Sequence, residues 1–406
     1  MRNGNGLLHD VLTSRVYDVA KETPLEPAPR LSRRLDNDVL LKREDLQPVF
    51  SFKLRGAHNK IAQLTATQRA RGVIAASAGN HGLAVAFHAA RLGIAAVIVM
   101  PEWAPLAKVT AARRHGAEVV LHGENFDEAY VRACEIEAAR HLVFVHPFDD
   151  DRVIAGQGTI GLEMIAQVPG LDAVLVPVGG GGLIGGVAVA VKATRPSATV
   201  IGVQAHEVAA MTAAISAGDR VTVPAATTIA DGIAVRRVGA HTFDLARRHV
   251  DGLVTVTEEE IANAILLLLE IEKTVVEGAG AVALAALANG RVDLEGKRVG
   301  LVLSGGNIDV NVIARVIERG LVKDGRLVRL RVHLRDRPGS LSRLTALLAA
   351  DRANVLHIEH DRAFSRAPVG DSEVEVTLET SGPDQIATIK RHLAEAGYSA
   401  EEVAPT

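Results

Sequence analysis

The stretch from Ala173 to Val191 carries no charged residue and is nearly long enough to cross a bilayer. Pro177 and four consecutive glycines, Gly179 to Gly182, stand in its middle and would break a membrane helix there. The segment therefore reads as a buried strand, a glycine loop and a helix start, and no membrane partner is expected. A strand apolar on both faces belongs to a parallel sheet covered by helices.

The rest of the chain agrees with that constraint. From about Val73 to Val302, short apolar runs alternate with amphipathic helical stretches. Expected strands are Gly72–Ala76, Ala95–Met100, Glu118–Leu121, Ala173–Pro177, Thr199–Val203 and Arg298–Leu303, all apolar on both faces. This alternation predicts an α/β, doubly wound architecture. Thr257 ahead of Glu258-Glu259-Glu260 predicts a capping box, with Val256 and Ile261 as its hydrophobic staple.

After about Val322 the pattern changes. Lys323 to Arg326 reads as an exposed linker. Leu327 to Arg335 alternates strictly, with Val328, Leu330, Val332 and Leu334 on one face. Asp336 to Gly339 is a turn. Ser340 is placed to cap a helix that turns Leu341, Leu344, Leu347 and Leu348 inward. Strands near Asn354–Arg362 and Ser372–Thr380, a helix near Pro383–Ala396 and a short final strand complete a ferredoxin-like order. A separate α+β domain is thus expected at 327–406.

The chain's 406 residues suit two or three domains. Its net charge of -3 is spread without a basic block, which argues against nucleic acid as a partner. Cys134 is the only cysteine, so no intrachain disulfide forms; that fits a reducing, cytoplasmic setting. Cys134 itself reads as a small buried apolar residue. No signal-peptide pattern opens the sequence.

The glycine run follows Ala173–Val178 and opens a helix, so several backbone N–H groups can meet one anion. Gly180-x-Gly182-x-x-Gly185 also matches a dinucleotide fingerprint. The next strand, however, is followed by Gln204 and not by the acid that would bind a ribose. A monophosphate site is the better reading. Lys53 follows the apolar run Val49-Phe50-Ser51-Phe52, where desolvation lowers an amine's pKa. Ser77-Ala78-Gly79-Asn80-His81-Gly82 lies between a strand and a helix; Ser77 or Asn80 can cap that helix or face a carboxylate. Ser304, in Ser304-Gly305-Gly306-Asn307, sits at a strand's carboxyl end, where open α/β sheets bind ligands. An amine, an anion-binding loop, a phosphate cradle and a hydroxyl for a ring nitrogen match the needs of pyridoxal 5'-phosphate.

With these motifs in order, residues 5–320 resemble threonine dehydratase (threonine ammonia-lyase) of the tryptophan-synthase-β-like pyridoxal phosphate enzymes. The tail, with Asp336-Arg337-Pro338-Gly339-Ser340-Leu341, is similar to an ACT regulatory domain. The resemblance implies fold type II: two doubly wound subdomains in a catalytic domain at 1–322, the smaller inserted at roughly 48–147. A linker at 323–326 and a ferredoxin-like ACT domain follow. It makes Lys53 the Schiff-base lysine and the base at Cα, with Phe52 beside the cofactor. Asn80 would bond the ring hydroxyl, Gly179, Gly180, Gly181, Gly182 and Leu183 the phosphate, and Ser304 the ring nitrogen. Gly156 would line the cofactor, with Gln157 and Asp231 behind. Ser77, Asn80 and His81 would surround the substrate carboxylate.

The implied reaction turns threonine into 2-oxobutanoate and ammonia, and serine into pyruvate, in isoleucine biosynthesis or threonine catabolism. Two departures from racemases of this group matter. Ala78 stands where they carry the serine that serves as second-face base. Gln204, Val208 and Ala210 stand where their divalent-cation ligands would be, so no such metal is expected; a monovalent cation stays open. Serine racemase, a broad serine/threonine deaminase and a catalytically silent amino-acid sensor are the competing readings. A homodimer or homotetramer, and a branched-chain amino-acid effector at the ACT domain, complete the expectations.

Overall fold

A computed structural model describes residues 4–361 and 370–403 of the chain. The chain divides into two compact units, Met1–Asp309 and Val310–Thr406.

The first unit holds two sheets. The larger runs, in spatial order, Leu25–Pro27, Asp38–Arg43, Arg298–Leu303, Ala173–Pro177, Thr199–Ala205 and Gly252–Val256. Leu25–Pro27 pairs antiparallel and all other neighbours are parallel. The smaller, all parallel, runs Glu118–Leu121, Ala96–Met100, Val73–Ala76 and Val143–Phe144. In each sheet the winding reverses once: between Arg298–Leu303 and Ala173–Pro177, and between Val73–Ala76 and Val143–Phe144. Each sheet packs its own apolar core, one around Val174, Val176 and Ile184, the other around Ala75, Val85 and Ile98.

The six expected strands form, with ends shifted by at most two residues. One expectation about them fails. Glu118–Leu121 is not buried on both faces; it is an edge strand whose Glu118 and Leu121 are exposed. Four strands escaped the periodicity. Asp38–Arg43 hides because its Lys42, although charged, is fully buried. Val143–Phe144 is two residues long. The Thr257 capping box forms as expected and opens helix Glu258–Ile271, with Val256 and Ile261 both buried. Cys134, on helix Phe126–Arg140, is half-buried and not buried.

Helix Asp151–Gln167 organises the unit because it meets two other helices at glycines. A Cβ at Gly156 would lie 2.8 Å from Gly56 Cα, in helix Lys53–Ala62. A Cβ at Gly186, in helix Gly182–Thr194, would lie 2.4 Å from Ile154 O. Both are below any tolerable contact, so these helices approach closely only without side chains. Helix Lys53–Ala62 and the helix behind the glycine run are thereby fixed to one support.

The second unit is a four-stranded antiparallel sheet in the order Asn354–Asp361, Asp371–Glu379, Leu327–Arg335, Ala400–Glu402. Val328, Leu330, Val332 and Leu334 are buried with Leu344 and Leu348 of helix Ser340–Ala350 and Ile386, Ile389 and Leu393 of helix Pro383–Glu395. Three details differ from the sequence reading. Gly339, at φ 88°, caps the helix and Ser340 is its first residue. The stretch Lys323 to Arg326 is exposed as expected except at Gly325, but it is anchored: the Gly325 carbonyl accepts a bond from Thr380 Oγ1, and Arg326 O accepts one from Thr380 N. Helix Val310–Lys323 groups with this unit, ahead of the expected boundary. Arg362, expected in a strand, lies outside the described residues. No helix of the described residues is long and apolar enough to cross a membrane.

Candidate active site

The carboxyl ends at both winding reversals face one cleft of about 280 Å³. The large sheet contributes Gly179 to Gly182 and Ser304; the small sheet contributes Ser77 to His81, Pro147 and Phe148. Ligands of open α/β sheets bind at such switch points.

Lys53 reaches the cleft through a backbone splice. Ser51 and Gly305 form an isolated antiparallel bridge. Phe52 N donates to Ser304 O at 3.1 Å, and Gly306 N to Phe50 O at 2.9 Å. Two sequence segments some 250 residues apart thus place Lys53 beside Ser304. Phe50, exposed and at φ 55°, is not part of the apolar wall expected around the lysine. Lys53 Nζ donates to the Pro147 carbonyl at 2.7 Å and lies 5.2 Å from the Phe52 ring centroid. Burial pushes its pKa down to about 8, against the pull of the Glu277 carboxylate. At pH 8 about half of such amines are neutral, against about 0.3% for an ordinary lysine.

The glycine run has two physical reasons. Gly181, at φ 95°, caps helix Gly182–Thr194, and no side chain satisfies the first amides. A Cβ at Gly180 would lie 2.3 Å from the Phe148 ring, and one at Gly182 would lie 2.8 Å from Phe148 O. The loop therefore wraps Phe148 as well as presenting amides. Thr242 Oγ1 holds it by donating to Gly180 O at 2.6 Å. Leu183, in the first turn, lines the cleft.

On the opposite wall, Gly79 and neither Ser77 nor Asn80 caps helix Asn80–Arg91, again without a side-chain bond. Ser77 Oγ instead accepts from Gly79 N at 3.1 Å. Asn80 Nδ2 donates to Glu277 Oε1 at 2.8 Å, and its Oδ1 accepts from Asn307 Nδ2 at 2.7 Å. His81 Nε2 donates to Val145 O at 2.7 Å. Burial, with Lys53 adding, pushes the His81 pKa down to about 3, so the ring is neutral and its Nδ1 is an acceptor. That nitrogen has no partner among the described residues. An acceptor does not complement a carboxylate, so any help from His81 comes from its backbone N–H.

Gly156 does not line the cleft; it serves the helix crossing described above. Gln157 is buried behind Gly56. Asp231 stands in the cleft wall and pairs with Lys108 at 2.9 Å. Gln204 is buried, donating to Val178 O at 3.3 Å and accepting from Thr212 N at 2.8 Å, so both ends of its amide are used inside the fold.

The sequence reading missed Glu277, Asn307, Pro147 and Phe148. Only Glu277 left a signal: it is the sole charge between Thr274 and Ala288. A carboxylate isolated in an apolar run is a candidate for a perturbed site group.

Two doubly wound lobes thus offer one cleft a desolvated lysine, an uncapped glycine-lined helix start and a strand-end serine, groups whose chemistry suits a phosphorylated aldehyde cofactor. The sequence profile described as "Pyridoxal-phosphate dependent enzyme" matches residues 16–305, and that of the ACT domain matches residues 328–397. L-threonine ammonia-lyase of Thermotoga maritima is 49% identical over 381 residues, covering 94% of this chain and 95% of that protein. The processed form of threonine deaminase isoform 2 from Solanum lycopersicum superposes with a TM-score of 0.74 at 43% identity, over 78% of this chain and 92% of that one. Maize serine racemase superposes with a TM-score of 0.72 at 31% identity, over 78% and 98%. The chain belongs to the threonine dehydratase (ammonia-lyase) family of pyridoxal-phosphate-dependent enzymes, with a C-terminal ACT domain.

Proposed function

We propose that this chain eliminates water from L-threonine to an enamine, which tautomerises and takes water back in hydrolysis to give 2-oxobutanoate and ammonia, and converts L-serine to pyruvate and ammonia by the same chemistry. The observation that carries the reading is the Lys53 amine, desolvated and held between Pro147 and Phe52 at the mouth of the glycine loop.

The residues fit pyridoxal phosphate. The uncapped amides of Gly181 to Leu183 would take its phosphate, Lys53 its aldehyde, Ser304 its ring nitrogen and Asn80 its ring hydroxyl. When bound, the cofactor supplies an electron sink for the bond broken at Cα. Ser304 offers a neutral hydroxyl where a carboxylate would make the sink stronger, which suits elimination better than transamination. Ser77 and the first amides of helix Asn80–Arg91, which no side chain caps, would take the substrate carboxylate. Lys53 Nζ takes the proton from substrate Cα on one face. On the other face Ala78 carries no group able to exchange a proton, so configuration is not inverted. Phe148, Phe126 and Pro147 give the cleft part of its apolar lining.

Incubation with L-threonine and with L-serine is therefore expected to yield 2-oxobutanoate and pyruvate, with no D-serine on chiral analysis. Accumulation of D-serine would move the assignment to a racemase.

For the C-terminal unit we propose a branched-chain amino-acid effector bound near Asp336 to Leu341, in a cytoplasmic homodimer or homotetramer. Ligand at 100 times its Kd stabilises by about 2.7 kcal/mol. Isoleucine or valine should thus raise the thermal midpoint by several degrees, and truncation after Asp309 should abolish the shift. An equal shift in the truncated chain would place the effector elsewhere.

A further inference from the structure

We infer that Glu277 is a positioning residue: its carboxylate fixes the Asn80 amide so that an N–H of Asn80 points into the cleft. The inference rests on the reading that pyridoxal phosphate binds there.

Glu277 caps helix Gly278–Ala288, and its backbone N donates to Gly305 O at 3.0 Å. Its side chain turns into the cleft wall, 6% exposed. A Cβ at Gly305 would lie 2.6 Å from Glu277 Oε1, so the glycine after Ser304 leaves the room this carboxylate occupies.

The bonds around Asn80 leave one orientation. Asn307 Nδ2 spends its two hydrogens on Val49 O, at 2.8 Å, and on Asn80 Oδ1, at 2.7 Å. Asn80 Nδ2 gives one hydrogen to Glu277 Oε1 at 2.8 Å. An ionised carboxylate can only accept. Flipping the Asn80 amide would set oxygen against oxygen at Glu277 and N–H against N–H at Asn307. The second Asn80 hydrogen is left for the cleft, where the cofactor's ring oxygen would take it as an acceptor.

The device depends on charge. The charged groups facing Glu277 are Lys53, Lys108 and Asp231. Burial pushes the Glu277 pKa up to about 7; the Asn80 bond, Lys108 and Lys53 oppose this, and Asp231 adds to it. Above that pH the carboxylate holds Asn80. Below it the carboxyl is protonated, can donate, and no longer dictates which end of the amide it meets.

The test titrates the holoenzyme from about pH 5.5 to about 9, reading the visible absorbance of bound cofactor and the cofactor dissociation constant. The native protein should show a one-proton spectral change with a midpoint about 7, and tighter binding above it. Glu277→Gln should lose that midpoint and bind cofactor about tenfold more weakly at pH 8. Asn307→Ala should keep the midpoint while weakening binding, because the carboxylate is untouched. A native midpoint and native affinity in Glu277→Gln would overturn the inference. Should that variant not fold, Asn80→Ala decides: cofactor affinity equal to the native value at pH 8 would show that no Asn80 N–H is used in the cleft and would overturn the inference equally. A native chain that takes up no cofactor at all refutes the proposed function itself.

Discussion

Lys53→Ala is expected to cut 2-oxobutanoate formation from L-threonine by at least about 10³-fold and to remove the visible absorbance of lysine-bound cofactor. Two losses combine. The covalent anchor for the aldehyde disappears. The base at Cα disappears too, and a positioned base alone is worth about 10² to 10⁴-fold. The effect should be chemical and not conformational. Among the described residues Nζ donates to the Pro147 carbonyl alone, and the lysine heads its helix without capping it. A thermal midpoint close to the native one, measured beside single-turnover kinetics, would separate the two. Turnover retained in the variant without an added amine would refute the assignment of Lys53.

The largest effect on stability is expected two residues further on. Arg55 leaves the same helix turn in the opposite direction and is fully buried. It donates to Glu44 Oε1 at 2.7 Å, to Glu44 Oε2 at 2.8 Å and to Glu163 Oε2 at 2.9 Å. Lys42, also fully buried, donates to Glu163 Oε2 at 2.6 Å, and Tyr17 Oη to Glu163 Oε1 at 2.8 Å. Two cations thus meet two carboxylates whose side chains are all buried from solvent. Arg55→Ala strands Glu44 and half of Glu163, and breaking one side of a buried pair costs about 3–5 kcal/mol. The thermal midpoint should fall by on the order of 10 °C. Helix Lys53–Ala62 begins at this network, so cofactor affinity should weaken as well. A midpoint within a degree or two of the native value would show that the network is not what holds the helix start.

These two residues show how far the sequence could be read. That Lys53 shares a cleft with the glycine loop and Ser304 was legible, because an amine, a glycine loop and a strand-end serine form a chemical set. Arg55, in the same six-residue motif, was not. Its meaning lies in Glu44 and Glu163, and no local pattern says that carboxylates 11 residues before it and 108 after it converge. Glu277 was half legible: its isolation among apolar residues is visible, but its bond to Asn80 spans 197 positions. His81 was read as one of the residues around a substrate carboxylate, and only the Val145 carbonyl reveals which ring nitrogen holds the proton. Gly156 was read as part of the site, and only the helix crossing shows that its missing side chain makes room for Gly56.

Local order determined six strands of the first unit, the capping box at Thr257, the alternating strand Leu327–Arg335 and the chemistry on offer in each loop. All of these depend on neighbours a few positions apart. Tertiary structure alone decided that the winding reverses in both sheets facing one cleft, that the Ser51–Gly305 bridge sets Lys53 beside Ser304, and which buried charges are paired. Hydrogen bonds and desolvation act through space between residues that chain distance does not bring together, so their outcome belongs to the packed molecule.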